Sequence, residues 1–452
     1  MNGPRLAANY GPSPFEARSH RSQAYAGCAC ESDLAPQGDG QNESFFADLH
    51  IIRWVGRKED NMNQGTFALV SIAAATLVAG GILSYLAARP AAAADEDPPL
   101  NLARDGFFSV GGKTTTINGK SYVVGQMYVE MRIPQKQTHP YPIIMVHGGT
   151  RSGTTFTGTP DGRESWAQYF ARRGYAVYVV DQPGRGRSGY VAEVYGPPRL
   201  ADAGSAQTRY LQQAKHKLWP QAHLHSQWPG SGEPDDAATL QMVGSFLPEI
   251  AFEKQQEVSR DAMVALLDKI GPAIVLVHSQ AGPIGWATAD ARPDLVKAVV
   301  AVEPNGPPVH ALEFVGAPDW FKEGGIALPY GIAGVPLAYD PPVKDASELK
   351  WVKEDKPDGP GLVTCWKQAE PARKLVNLKM PIVVLMSEAS YHAPYDHCTV
   401  KFLQQAGVKP DYIKLADLGI KGNSHVMMQE KNSKEIAAVI YGWLEKSVAA
   451  AK

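Results

Sequence analysis

The sequence predicts an α/β fold: a mostly parallel sheet flanked by helices, with cap insertions. Three observations carry that prediction. Short, continuous apolar runs recur along the chain, as strands covered on both faces require. Helix-like segments lie between several of these runs. Two connections are too long for simple crossovers and have the length of lids or caps. Composition agrees: of 452 residues, 44% are hydrophobic and 20% charged, enough for a core and against wholesale disorder. Lys plus Arg number 44 and Asp plus Glu 46, a formal charge of −2. Without a basic excess, no nucleic-acid partner is expected. Four Cys exclude a disulfide scaffold.

The N-terminal part reads differently. Residues 1–61 mix Gly, Pro, Ser, Asn and Ala without periodicity, and read as a disordered or non-native extension. Phe67–Ala88 carries no charged residue and is long enough to span a bilayer. Ala91–Ala94, ahead of Asp95, resembles a signal-peptidase site. If translation starts at Met62, residues 62–94 form a signal peptide. If it starts at Met1, Arg53, Arg57 and Lys58 precede the run and an uncleaved anchor is the alternative. The expectation is export to the periplasm or beyond, with cleavage near Ala94. Membrane association would follow only if 67–88 stays uncleaved.

Residues 95–452 form the expected folded domain, with the cap insertions inside it. Tyr122–Ile133 is extended and largely apolar. Tyr141–His147, Tyr175–Asp181, Ala273–His278, Lys297–Glu303 and Pro381–Ser387 have the signature of buried parallel strands. Ser165–Arg173 and Lys254–Lys269 read as helices between them. The long connections run over about 189–251 and 305–380.

The chemistry starts at Val277-His278-Ser279-Gln280-Ala281-Gly282. It follows a strand and opens a helix, the context of a nucleophile elbow. Small residues are needed two before and two after the serine, because strand and helix pack closely there. Ala281 fits, Val277 stands where Gly is usual, and Gly282 falls one place late. His147-Gly148-Gly149 ends an earlier strand; in α/β-hydrolases such a turn supplies one oxyanion-hole N–H, here that of Gly149. The residue after the nucleophile, Gln280, supplies the other. Asp181–Ser188 (DQPGRGRS) turns sharply after the next strand; Arg185 and Arg187 are candidates to bind an anionic substrate, but read first as partners in structural ion pairs. His425, in a loop after the strand-like Tyr412–Leu415, stands in the right chain order for the base. For the acid, position leaves Glu303 and Glu388 open and slightly favours Glu388, which follows the strand where the acid usually sits.

Ser279-Gln280 in HSQAG, Val302-Glu303-Pro304, Gly422–Asn432 (GNSHVMMQEKN), Thr159–Arg163 and DQPGRGRS together resemble the esterase-713-like subgroup of α/β-hydrolases. The resemblance covers Tyr141 to the C-terminus and is weakest in the caps. It implies a serine esterase whose acid follows the sixth strand, which makes the acid Glu303 and leaves Glu388 the alternative. This chain departs from the subgroup at Gly149 and Thr150, where the subgroup carries cysteines.

The expected reaction is carboxylic ester hydrolysis on a small-molecule substrate through an acyl-enzyme. Lactone or thioester hydrolysis by the same residues and a non-catalytic binding protein are the alternatives. His216, His223 and His225, or His392, Asp396 and His397, show no ligand spacing on an expected helix or strand. They read as solvent-facing or cap-packing, and no metal is expected. With neither a dinucleotide fingerprint nor a P-loop, no cofactor is implied. Cys365 and Cys398 are equally compatible with a disulfide and with free thiols. Oligomeric state is left open.

Overall fold

The computed structural model describes residues 98–448. The expectations for 1–61 and 62–94 lie outside the described residues. Eight strands form the main sheet: β1 (Leu102–Ile117), β2 (Lys120–Pro134), β3 (Ile143–Val146), β4 (Val177–Asp181), β5 (Ala273–Ser279), β6 (Val296–Pro304), β7 (Ile382–Met386) and β8 (Asp411–Lys414). Their order is β1-β2-β4-β3-β5-β6-β7-β8. From β4 to β8 all neighbours are parallel, while β1–β2 and β2–β4 are antiparallel.

The parallel strands alternate between two cores. Ile143, Met145, Ile274, Leu276, Val300 and Val302 face one side; Ile144, Val146, Val275, Val277, Val299 and Ala301 face the other. Because both faces are covered, the central strands are largely apolar on both sides, which is why continuous runs marked them. The first face is covered by α1 (Trp166–Arg172) and α5 (Ser433–Ser447). The second is covered by α2 (Phe252–Ile270), α3 (Ala281–Ala291) and α4 (Asp396–Gln405). Ser165 caps α1 by accepting from Gln168 N, and Gln168 accepts back from Ser165 N, so two end amides are satisfied.

The β1–β2 hairpin is the part the apolar runs revealed only in half. Its turn, Asn118-Gly119, has φ of 49° and 76°, the left-handed pair that a two-residue hairpin needs. β1 itself is mostly exposed and carries Arg104, Asp105 and Lys113, so it gives no buried-strand signal.

Residues 189–251 fold into short helical turns, including Gln207–Leu211 and Ala237–Val243. Residues 305–380 form small antiparallel pairs: His310–Gly316 with Trp320–Ile326, and Trp351–Lys353 with Trp366–Gln368. Cys365 and Cys398 are joined in a disulfide, which ties this second segment to α4.

Candidate active site

Ser279 ends β5 with φ 56°, a left-handed conformation that a non-glycine residue holds only where its surroundings enforce it. The enforcement comes from close approach. A Cβ on Gly148 would lie 2.8 Å from Ser279 Cβ, and one on Gly282 would lie 2.5 Å from Pro304 Cβ. Val277, the residue that does not fit the elbow pattern, is accommodated from the helix side. A Cβ on Gly285 of α3 would sit 2.9 Å from Val277 Cγ1. The space usually left by a strand glycine is left here by a helix glycine.

Glu303 is strained in the same way, with φ 42° at the end of β6. The β5–β6 register shifts there: His278 pairs with Val302, but Ser279 pairs with Pro304, so Glu303 is bulged out of the ladder. Its carboxylate is fully buried. Oε1 accepts from Ser387 N at 2.9 Å and Ser387 Oγ at 2.7 Å, and Oε2 accepts from Ser390 Oγ at 2.6 Å. Oε2 also lies 2.6 Å from His425 Nδ1, which fixes the ring tautomer with its proton on Nδ1. His425 Nε2 is buried without a hydrogen-bond partner. Burial, followed by the neighbouring His392, Arg151 and Arg209, holds His425 well below the usual histidine range, so the ring is neutral at pH 7. Burial pushes Glu303 up, opposed by His392 and the serine hydrogen bonds.

The loop that carries His425 is held by Glu430, which is fully buried. Its carboxylate accepts from Ser424 N at 2.9 Å, Ser424 Oγ at 2.7 Å and Asn423 Nδ2 at 2.9 Å, and meets His225 Nε2 at 2.7 Å. His225 is therefore a docking residue of segment 189–251. His223 bonds Pro220 O, and His216 is exposed.

Glu388 lies elsewhere. It accepts from Gly422 N at 2.7 Å and lines a separate cavity of about 200 Å³ with Leu224, His397 and Lys414. Of the two carboxylates the sequence left open, the structure brings Glu303 to His425 and leaves Glu388 on the backbone of the loop.

Ser279, His425, Gly149 and Gln280 share a cavity of about 490 Å³. Segments 189–251 and 305–380 both contribute to its wall, through Arg199, Tyr210 and Phe246 and through Pro307, Leu312 and Phe314. Gln280 opens α3, so its N–H is among those a helix start leaves without an intrahelical acceptor. The His147-Gly148-Gly149 turn is fixed from behind. His147 Nε2 accepts from Gln182 N at 3.0 Å, and Arg185 Nη1 donates to Gly148 O at 2.8 Å. Burial and Arg185 lower His147 to about 3, which keeps it neutral. Arg185 pairs with Glu249 at 2.6 Å, and Arg187 with Asp181 at 2.8 Å, as the structural reading of both arginines requires.

Two groups were not legible. Glu249, in segment 189–251, accepts from Thr150 N at 2.8 Å and Gln280 Nε2 at 3.3 Å and pairs with Arg185 and Arg199. The one available hint was Arg185, which needed an acid somewhere. His392 and Asp396 correct the expectation of solvent-facing or cap-packing histidines: both are buried and joined at 2.9 Å. The His392 ring stacks on His425 at 4.4 Å and 10°. Glu303, His392 and His425 each present a metal-capable atom within 4.8 Å of the others, but the 2.6 Å hydrogen bond already occupies the Glu303–His425 contact. His397 lies 3.3 Å from Cys365, whose sulfur is committed to the disulfide with Cys398.

Comparison with known proteins gives three relations. A family profile for the alpha/beta hydrolase fold matches residues 141–341. "Probable secreted lipase phiG" of Fungal sp. (strain ATCC 74256) is 41% identical over 347 residues, which is 75% of this chain and 89% of that protein. The solved structure of a novel bacterial esterase superposes with a TM-score of 0.54 at 23% identity, covering 78% of this chain and 99% of its own.

Proposed function

The chain belongs to the α/β-hydrolase family, and on that premise we propose that it is a serine esterase that hydrolyses carboxylic esters through an acyl-enzyme. The observation that carries the reading is the 2.6 Å contact between Glu303 Oε2 and His425 Nδ1, with Nε2 of the same ring left free in the cavity that Ser279 lines.

Ser279 Oγ attacks the ester carbonyl while His425 Nε2 takes its proton. Glu303 orients the imidazole and stabilises its charged form without itself taking the proton. The N–H groups of Gly149 and Gln280 receive the oxyanion, and His425 returns the proton to the departing alcohol. Water, activated by the same histidine, then releases the acid. At rest, Tyr391, held well above the ordinary tyrosine range by burial, lines the same cavity as Ser279.

The two segments 189–251 and 305–380 act as caps that select the substrate. The catalytic chain is exported and starts near Asp95. The similarity to a secreted lipase and the Cys365–Cys398 disulfide, a bond that persists in oxidising compartments, support export. Among the described residues, no helix is long and apolar enough to cross a membrane.

The test is labelling with a fluorophosphonate probe, which reacts only with an activated serine, followed by turnover of p-nitrophenyl esters of rising chain length. Labelling of the native protein and not of Ser279→Ala is expected. A native protein that neither labels nor turns over any ester would instead be a hydrolase-like binding protein.

A further inference from the structure

We propose that the ester this pocket takes carries an anionic group, a carboxylate or comparable acid near the scissile carbonyl, received by Arg209 and Arg151. The inference rests on the serine-hydrolase reading of the same site.

The cavity wall holds Arg151, Arg199 and Arg209 together with Ser279 and His425. Their charges are not balanced from within. Glu249, beside Gly149, is shared by Arg185 and Arg199, so two cations meet one anion. Asp202, at the rim, is committed to Gly204 N, Ser205 N and Ser205 Oγ. Among the described residues, no carboxylate forms an ion pair with Arg151 or Arg209.

Arg151 is only 5% exposed, yet it touches neutral groups alone. Its Nη1 reaches Ser245 Oγ at 3.4 Å and Gln429 Oε1 at 3.5 Å, both at the limit of a hydrogen bond. Its Nη2 has no partner, and the ring of Phe246 lies 4.7 Å from the guanidinium carbon. Burial lowers Arg151 to about 10, which still leaves it a cation at neutral pH. A buried charge without a counter-charge is costly, and two long hydrogen bonds and one aromatic ring offset that cost only in part. Arg209 is exposed and lies 5.7 Å over the Tyr391 ring, which itself packs 4.7 Å from His425. Both guanidiniums therefore belong to residues that line the cavity of the reacting histidine. A planar, permanently charged fork of this kind suits a carboxylate that arrives with the substrate. Phe246, Leu312 and Phe314 supply apolar surface to the same cavity.

The experiment compares kcat/KM on two matched pairs after subtraction of spontaneous hydrolysis. One pair is p-nitrophenyl hemiadipate against p-nitrophenyl hexanoate, with the anion on the acyl side. The other is 4-(butyryloxy)benzoate against its methyl ester, with the anion on the leaving side. The native enzyme should prefer the anionic member of at least one pair, and added NaCl should erode the preference. Arg209→Gln, at an exposed position where folding is a small risk, should lower the anionic-to-neutral ratio about tenfold, as loss of one charge-assisted hydrogen bond would. Arg151→Met keeps length and should lower it further. Free adipate should inhibit the native enzyme competitively and bind Arg209→Gln more weakly by calorimetry, a readout that needs no turnover. A ratio unmoved by either substitution, or neutral and anionic esters losing rate equally, would overturn this proposal while leaving the esterase reading intact. Failure of Ser279 to label with fluorophosphonate would remove the esterase reading and this proposal with it.

Discussion

Each oxygen of Glu303 accepts two hydrogen bonds, one pair from Ser387 and the other from Ser390 and His425. Removing its charge while keeping its size should free the imidazole to take the wrong tautomer. Glu303→Gln is therefore expected to lower kcat by about 10⁴-fold with little change in KM. Glu388→Gln removes a charge but keeps an amide oxygen that can still accept from Gly422 N, and a change of no more than a few fold is expected. Steady-state kinetics on the two proteins separates the roles, and the reverse pattern would return the acid to the strand where position alone puts it. Ser279→Ala should lose about 10⁴- to 10⁶-fold in turnover while folding normally. The pH dependence follows from His425. Its proton affinity is lowered from the ordinary 6.5, so the ring stays neutral, and able to accept a proton, below that pH. The acid limb of kcat/KM is expected below pH 6.5. Removing the positive charge of Arg151 or Arg209 should move that limb upward, because both oppose protonation of the ring. A limb at or above the ordinary value in the native enzyme would contradict this electrostatic account.

Among the elements, the elbow is the most closely packed. Gly285→Ala places a methyl 2.9 Å from Val277, and strand and helix must separate to admit it. A loss of about 1–3 kcal/mol is expected from overpacking. Val277→Ala on the same protein should recover most of that loss, a coupling measurable by chemical denaturation of the four members of the cycle. Elements differ in how far they were legible, and the reason is burial. β3, β5, β6 and β7 are covered on both faces and announce themselves as apolar runs. β1 has solvent over most of its length, and its charges and glycines mask it. Ser279 and His425 could be singled out as candidates because local context surrounds them. Glu249 and His392 were not, since each acquires its role from partners that only tertiary closure brings near.

At the scale of the whole molecule, the disulfide and the Glu430 contact connect the outer segments to α4 and to the loop that carries His425. Cys365 and Cys398 are 33 residues apart, so Cys365→Ser with Cys398→Ser should lower stability by about 3–4 kcal/mol, the loop-closure value. Denaturation of the double variant, or of the native protein with and without reductant, measures it. Glu430 has a wider consequence. The same carboxylate that holds Asn423 and Ser424, next to His425, also receives His225 from segment 189–251. Arg163 donates to the backbone carbonyls of Gln429, Glu430 and Lys431 from the other side. Segment 189–251 is consequently not an interchangeable module. A chimera that takes it from a relative inherits a catalytic loop built around a missing imidazole, unless the donor brings its own counterpart of His225. Efforts to transplant substrate range between such enzymes would have to move the latch and the loop together.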